Sequence, residues 1–167
     1  MFEDIAQAEA QTTQEATVPT EATTHLLQAD GADPSRAAFQ ELSHAVRVDA
    51  ALCKQLADRA RTADDSDLGT DAALRKGGCL WAACAYAEAA ETLAQAPRSE
   101  VAAFLRARSM MRSGHSTEAQ SLLVHLVSAD ASDNDAQAAL LEILDADGDA
   151  IELAKGLKEL PTGFSKT

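Results

Sequence analysis

Glu100-Val-Ala-Ala-Phe104-Leu-Arg-Ala107-Arg-Ser-Met110-Met111-Arg-Ser-Gly114-His-Ser-Thr-Glu-Ala119 carries the strongest structural signal in the chain. It reads as two helices broken at Gly114, and it has a counterpart thirty residues earlier. Aligning residue 77 on residue 107 pairs Leu74 with Phe104, Gly77 with Ala107, Leu80 with Met110 and Trp81 with Met111. The same alignment pairs Ala89 with Ala119 and Leu93 with Leu123. A further step of 34 residues pairs Met110 with Leu144, Gly114 with Gly148 and Leu123 with Leu157. Each unit holds two helices, broken at Cys84, Gly114 or Gly148 and ended near Pro97, Asp130 or Pro161. Ser132 and Asp135 have the spacing of a capping box opening the last pair.

A helix–turn–helix period near 34, with small residues at the eighth and twentieth places, resembles a tetratricopeptide repeat. Gly77, Ala107, Ala89 and Ala119 are the small residues that let paired helices approach closely. Lys76 and Arg106 depart from the pattern at the seventh place, where an apolar residue is usual. The expected fold is all-α: an α-solenoid of about three antiparallel helix pairs behind an N-terminal helical segment.

Composition agrees. Of 167 residues, 37 are Ala and 19 are Leu, both strong helix formers. Val and Ile together number nine and aromatics make up 4%, too few to pack a β-rich fold. The formal net charge is -13, and seven acids with no Lys or Arg fall within residues 1–34. That stretch is low in apolar bulk and is expected to be a disordered acidic tail. The helical domain then spans 35–167, with Asp33 as first cap and Pro34 at the first helical position. Phe39, Leu42 and Val46 follow at helical spacing. A break near Arg47-Val48 lets Asp49 cap a second helix carrying Leu52, Cys53, Leu56 and Ala60. Thr62 to Asp67, with Gly69, is expected as a loop.

The acid excess argues against nucleic acid as a partner, because that affinity rests on Lys and Arg. No apolar stretch approaches the roughly 20 residues that span a bilayer, and the N-terminus lacks the positive charge of a signal peptide. Three cysteines suit a reduced, cytoplasmic protein. No catalytic constellation stands out, so no enzyme is expected, and no cofactor or metal. His25, His44, His115 and His125 lack ligand spacing to one another or to a Cys. Cys79 and Cys84 are expected as small core residues. Asp145-Ala-Asp147-Gly148-Asp149 fails the calcium-loop pattern, because Gly precedes its third Asp and the twelfth place is Gly156.

What remains is a surface. If the units stack as tetratricopeptide repeats do, the second, fifth, ninth and twelfth places line a concave groove. These are Asp71, Leu74, Gly78 and Trp81; then Val101, Phe104, Arg108 and Met111; then Asp135, Ala138, Glu142 and Asp145. The groove is thus an apolar stripe grading into an acidic end, suited to an amphipathic helix of a protein partner. Leu74, Trp81, Val101, Phe104, Arg108 and Met111 are the expected protein-binding residues.

Within residues 100–119, Glu100, Leu105, Arg106, Ser109, Met111, Gly114 and Ala119 resemble the central repeat of the needle-subunit chaperones of bacterial type III secretion systems. Ala139 to Glu142, followed by Gly148, Ala150 and Glu152, is similar to the helix pair after it. The resemblance covers about a third of the chain. It implies a cytoplasmic chaperone that clasps the amphipathic helix of a needle-type subunit, beside a small helical co-chaperone. The competing readings are a translocator-type secretion chaperone and a tetratricopeptide adaptor or structural subunit of a larger assembly.

Overall fold

In the computed structural model, which describes residues 25–28, 34–96 and 99–146, every regular element among the described residues is a helix. Helix α1 spans Arg36–Val46 and buries Phe39, Leu42, Ser43 and Val46. Its cap is the Ser35 hydroxyl, which accepts from the Ala38 amide at 3.2 Å. The expected start at Asp33-Pro34 is therefore two residues early: Ser caps as well as Asp does, and Ser35 sits next to the first helical residue. The break at Arg47-Val48 is present, and the Asp49 carboxylate accepts from the Ala51 amide at 2.7 Å to open α2, Ala50–Thr62. Leu52, Leu56, Ala57 and Ala60 form its buried face.

The expected loop at 62–67 is partly helical. Thr62 closes the last turn of α2 by donating to the Asp58 carbonyl at 2.9 Å. Asp64 then caps a single turn, Asp65–Leu68, by accepting from the Ser66 amide at 2.9 Å. A 3-10 turn over Gly69–Asp71 leads into α3, Ala72–Ala82, whose buried residues run from Leu74 to Ala82 with only Lys76 half-exposed. This helix is the hub, packing on α1, α2 and the two helices that follow.

Helices α4 (Tyr86–Leu93), α5 (Glu100–Arg112), α6 (Ser116–Ala129) and α7 (Asn134–Ala146) complete the array, each packed on the one before it. The junctions α3–α4 and α5–α6 are closed alike. Cys84 and Gly114 are left-handed, at φ 62 and 88. The next amide in each case reaches back five residues, Ala85 to the Leu80 carbonyl (2.9 Å) and His115 to the Met110 carbonyl (2.8 Å). This is the Schellman closure of a helix end, and it recurs at the thirty-residue offset read from the sequence. Paired positions share their environment as well: Ala89 and Ala119 are both at 0% exposure, and Leu93 and Leu123 are both buried. Gly77 is required by contact, since a Cβ there would lie 2.5 Å from Leu93 Cγ.

Helix α6 ends at Asp130 as expected. The capping box does not form. Asp133 caps α7, accepting from the Ala136 amide at 3.0 Å, while Ser132 turns back to donate to the Asp130 carboxylate at 2.7 Å. Asp133, directly before the first helical residue, holds the capping position, and Ser132 is one residue too early for it. Gly148, Pro97 and Pro161 lie outside the described residues.

Most of the tail expected over 1–34 also lies outside them, but residues 25–28 are described. Leu26 belongs to the core, and the His25 and Leu26 carbonyls accept from Arg75 Nη1 at 3.4 and 3.1 Å. No described helix is long and apolar enough to cross a membrane.

Candidate functional site

Helix α1 does not pair with its chain neighbour. It packs more extensively on α3 than on α2, and the arginines at its two ends reach α4, α5 and the start of α7. At its start, Arg36 forms a fork-to-fork pair with Asp133, Nη1 to Oδ1 and Nη2 to Oδ2 both at 2.7 Å. The same guanidinium lies 4.3 Å over the Phe104 ring of α5. In its middle, Phe39 is fully buried against Gly78 of α3, where a Cβ would lie 2.3 Å from the ring. At its end, Arg47 lies 5.3 Å over the Trp81 ring and donates to the Tyr86 hydroxyl at 3.3 Å. The helix therefore runs from the start of α7 across the faces of α3 and α5 to the junction of α3 and α4.

The open space left beside it is a cleft of about 420 Å³. Trp81, Phe104, Arg108, Asp135, Ala138 and Glu142 line it, opposite Gln40, Ser43, His44 and Arg47. Six of the twelve places read from the repeat thus converge on one site. The others divide. Leu74 and Gly78 are buried below, Met111 and Val101 are half-buried against the core, and Asp71 and Asp145 are exposed. Val101 borders a separate depression with Arg36 and Asp133.

Of the expected binding residues, Leu74, Trp81 and Phe104 are at 6%, 7% and 4% exposure, so Trp81 and Phe104 form a floor more than a contact rim and Leu74 lies beneath it. Arg108 is tied up in a different way. Its Nη1 donates to Glu142 Oε2, and Arg112 Nη2 donates to Glu142 Oε1 at 3.1 Å. Arg36 bonding holds the Asp133 carboxyl below its ordinary range. Of the expected acidic end, Glu142 is thus matched by two arginines, and the nearby Asp133 by a third. One polar atom in the wall is unmatched: Ser43 is 2% exposed, and its hydroxyl has no hydrogen-bond partner.

Sequence reasoning missed the part played by α1 and by Asp133 and Tyr86. Two signals pointed to it: Arg36 and Arg47 bracket the Phe39–Leu42–Val46 stripe, and Gly78 sits in the interior of an apolar helix.

Elsewhere the thiols separate by environment. Cys79 is at 0% exposure, and burial pushes its thiol up to about 12. Cys84 is exposed, against the expectation of a core residue, because it occupies the left-handed turn position. Its sulfur accepts from the Tyr86 hydroxyl at 3.4 Å, and it neighbours Cys53, whose thiol is raised by burial and then by Cys84. Among the described residues no group of three His, Cys, Asp or Glu is placed to hold a metal. Asp147 and Asp149 lie outside them.

No protein-family model, curated protein or solved structure matches the chain.

Proposed function

We propose that the protein is a cytoplasmic binding chaperone of tetratricopeptide-like architecture, with no catalytic role. In this reading α3–α4 and α5–α6 are antiparallel pairs, α7 opens a third, and the cleft faces their concave side. The client is a protein with an amphipathic helix, of the needle-subunit type in a type III secretion system. The observation that carries the reading is the convergence of Trp81, Phe104, Arg108, Asp135, Ala138 and Glu142, from three separate helices, on one cleft. Repeat-equivalent places meet this way when helix pairs stack in a solenoid. The matched closures at Cys84 and Gly114 support the same arrangement.

The chemistry suits such a client. A subunit that assembles through an apolar helix must keep that helix covered before assembly, and a cleft with an aromatic floor and a charged rim provides cover. The net charge of -13 favours solubility of the complex. Ala138 is exposed on the cleft, which makes it the place to block entry without disturbing the floor. Co-expression with a short, self-assembling helical subunit tests the reading. Ala138→Arg should remove the subunit from the purified complex while circular dichroism stays helical. Equal recovery with wild-type and Ala138→Arg chains would overturn it.

A further inference from the structure

We infer that α1 is a displaceable wall of the cleft, and that the segment accepted from a partner is a helix of α1's own pattern, which enters by taking α1's seat. The inference rests on the helix-binding reading above. The pattern is Arg, then an aromatic three residues on, an aliphatic three beyond it, another four further on, and a final Arg, as in Arg36, Phe39, Leu42, Val46 and Arg47. The two arginines are eleven positions apart, about 16 Å of helix. That span carries one arginine to Asp133 and Phe104 and the other to Trp81 and Tyr86.

Three observations set α1 apart from an ordinary core helix. In the pairs α3–α4 and α5–α6 each helix packs most on a chain neighbour, whereas α1 packs less on α2 than on α3. Gly78 is unfavourable in a helix interior, and its position is explained by the aromatic ring that enters there. The third is Ser43. Its hydroxyl is buried in the cleft wall without a partner, so α1 fits the seat imperfectly. A partner helix with Ala at the equivalent place removes that mismatch and seats better. The joint is short and wet: Val48, between α1 and the Asp49 cap, is 83% exposed.

The test uses the full chain and a fluorescent peptide of residues 34–48 carrying Ser43→Ala. Two variants loosen the internal helix, Phe39→Ala at the notch and Arg36→Gln at the Asp133 pair. Each should bind the peptide about tenfold or more tightly than wild type, because the fraction of open cleft limits apparent affinity. Ser43→Ala in the chain itself should act in reverse and weaken binding. A peptide lacking the phenyl ring, Phe39→Ala, should bind none of them. Equal binding by all chains, or by none, overturns the inference. So does loss of helicity in Arg36→Gln, since α1 would then be indispensable to the fold. A client subunit captured equally by wild type, Arg36→Gln and Ser43→Ala would uphold the proposed function and overturn only this inference. Peptide exchange with no capture of any client would do the opposite.

Discussion

At the scale of single residues, the two left-handed turns make the same demand on two different residues. Cys84 holds φ 62 with a Cβ, whereas Gly114 holds φ 88 without one. A left-handed non-glycine residue costs about 1–2 kcal/mol, and the Cys84–Tyr86 contact is a weak thiol bond at the surface. Cys84→Gly should therefore stabilise the protein by about 1 kcal/mol. Gly114→Ala should destabilise it by a similar amount, although nothing lies within 4 Å of the added Cβ. Urea midpoints at constant slope would show both, and a fall in the midpoint for Cys84→Gly would refute the strain argument. The cysteines also differ in reactivity. Thiolate is the reactive form, and burial keeps Cys79 as a thiol well above neutral pH. A disulfide reagent at pH 8 should reach Cys84 first and Cys79 only after denaturation. Mass spectrometry of the folded protein that found Cys79 modified would contradict this.

Among the helices, the decisive contact is Phe39 on Gly78. Helix propensity alone makes Gly78→Ala favourable by about 1 kcal/mol. The contact reverses the sign, because a fully buried ring at 2.3 Å from the new Cβ has nowhere to go. We expect Gly78→Ala to lower stability by about 1–3 kcal/mol. The loss should shrink in a Phe39→Ala background, as a double-mutant cycle would register; independent, additive effects would place the ring elsewhere. This contact also marks what the sequence could reveal. The stripes Phe39–Leu42–Val46 and Leu52–Leu56–Ala60, and the breaks at Cys84 and Gly114, were legible because spacing and left-handed positions are local properties. The Asp49 cap was legible to the residue, but the caps at Ser35 and Asp133 only to within two, since each competes with an equally good neighbour. The burial of Leu74, Trp81 and Phe104 was not legible as such. Periodicity says that a face is apolar, but not whether a partner or the chain's own α1 covers it.

For the whole molecule, charge sets the pH response. Seven of the thirteen excess negative charges belong to residues 1–34, which leaves the remainder at -6. Several carboxyls beyond that stretch are held below their ordinary range: Asp58 by Lys54 and Arg61, Glu88 by Arg61, Asp133 by Arg36, and Asp64 and Asp130 by serine hydrogen bonds. A depressed pKa stabilises the fold above the unfolded value, about 3.9 for Asp and 4.3 for Glu, and that contribution disappears as pH falls through the folded value. Stability should thus hold from neutrality to about pH 5 and decline below about pH 4. The groups do not contribute equally. Glu88 and Arg61 are half-exposed and screened, so Glu88→Gln should change stability by less than about 1 kcal/mol. The Arg36–Asp133 side chains are only 18% and 12% exposed, and they join α1 to the start of α7. Asn caps a helix as well as Asp does, so Asp133→Asn keeps the α7 cap through Oδ1 while it removes the charge and the Oδ2 acceptor of Arg36 Nη2. It should cost about 2 kcal/mol at pH 7 and flatten the acid limb more than Glu88→Gln does. High salt should narrow the difference little, since a mostly buried pair is weakly screened. Denaturant titrations of the three proteins from pH 7 to pH 3 measure the slopes directly. Equal slopes for the two variants would mean that acid sensitivity is a property of the surface, and that the hold of Asp133 on α1 has no special share in it.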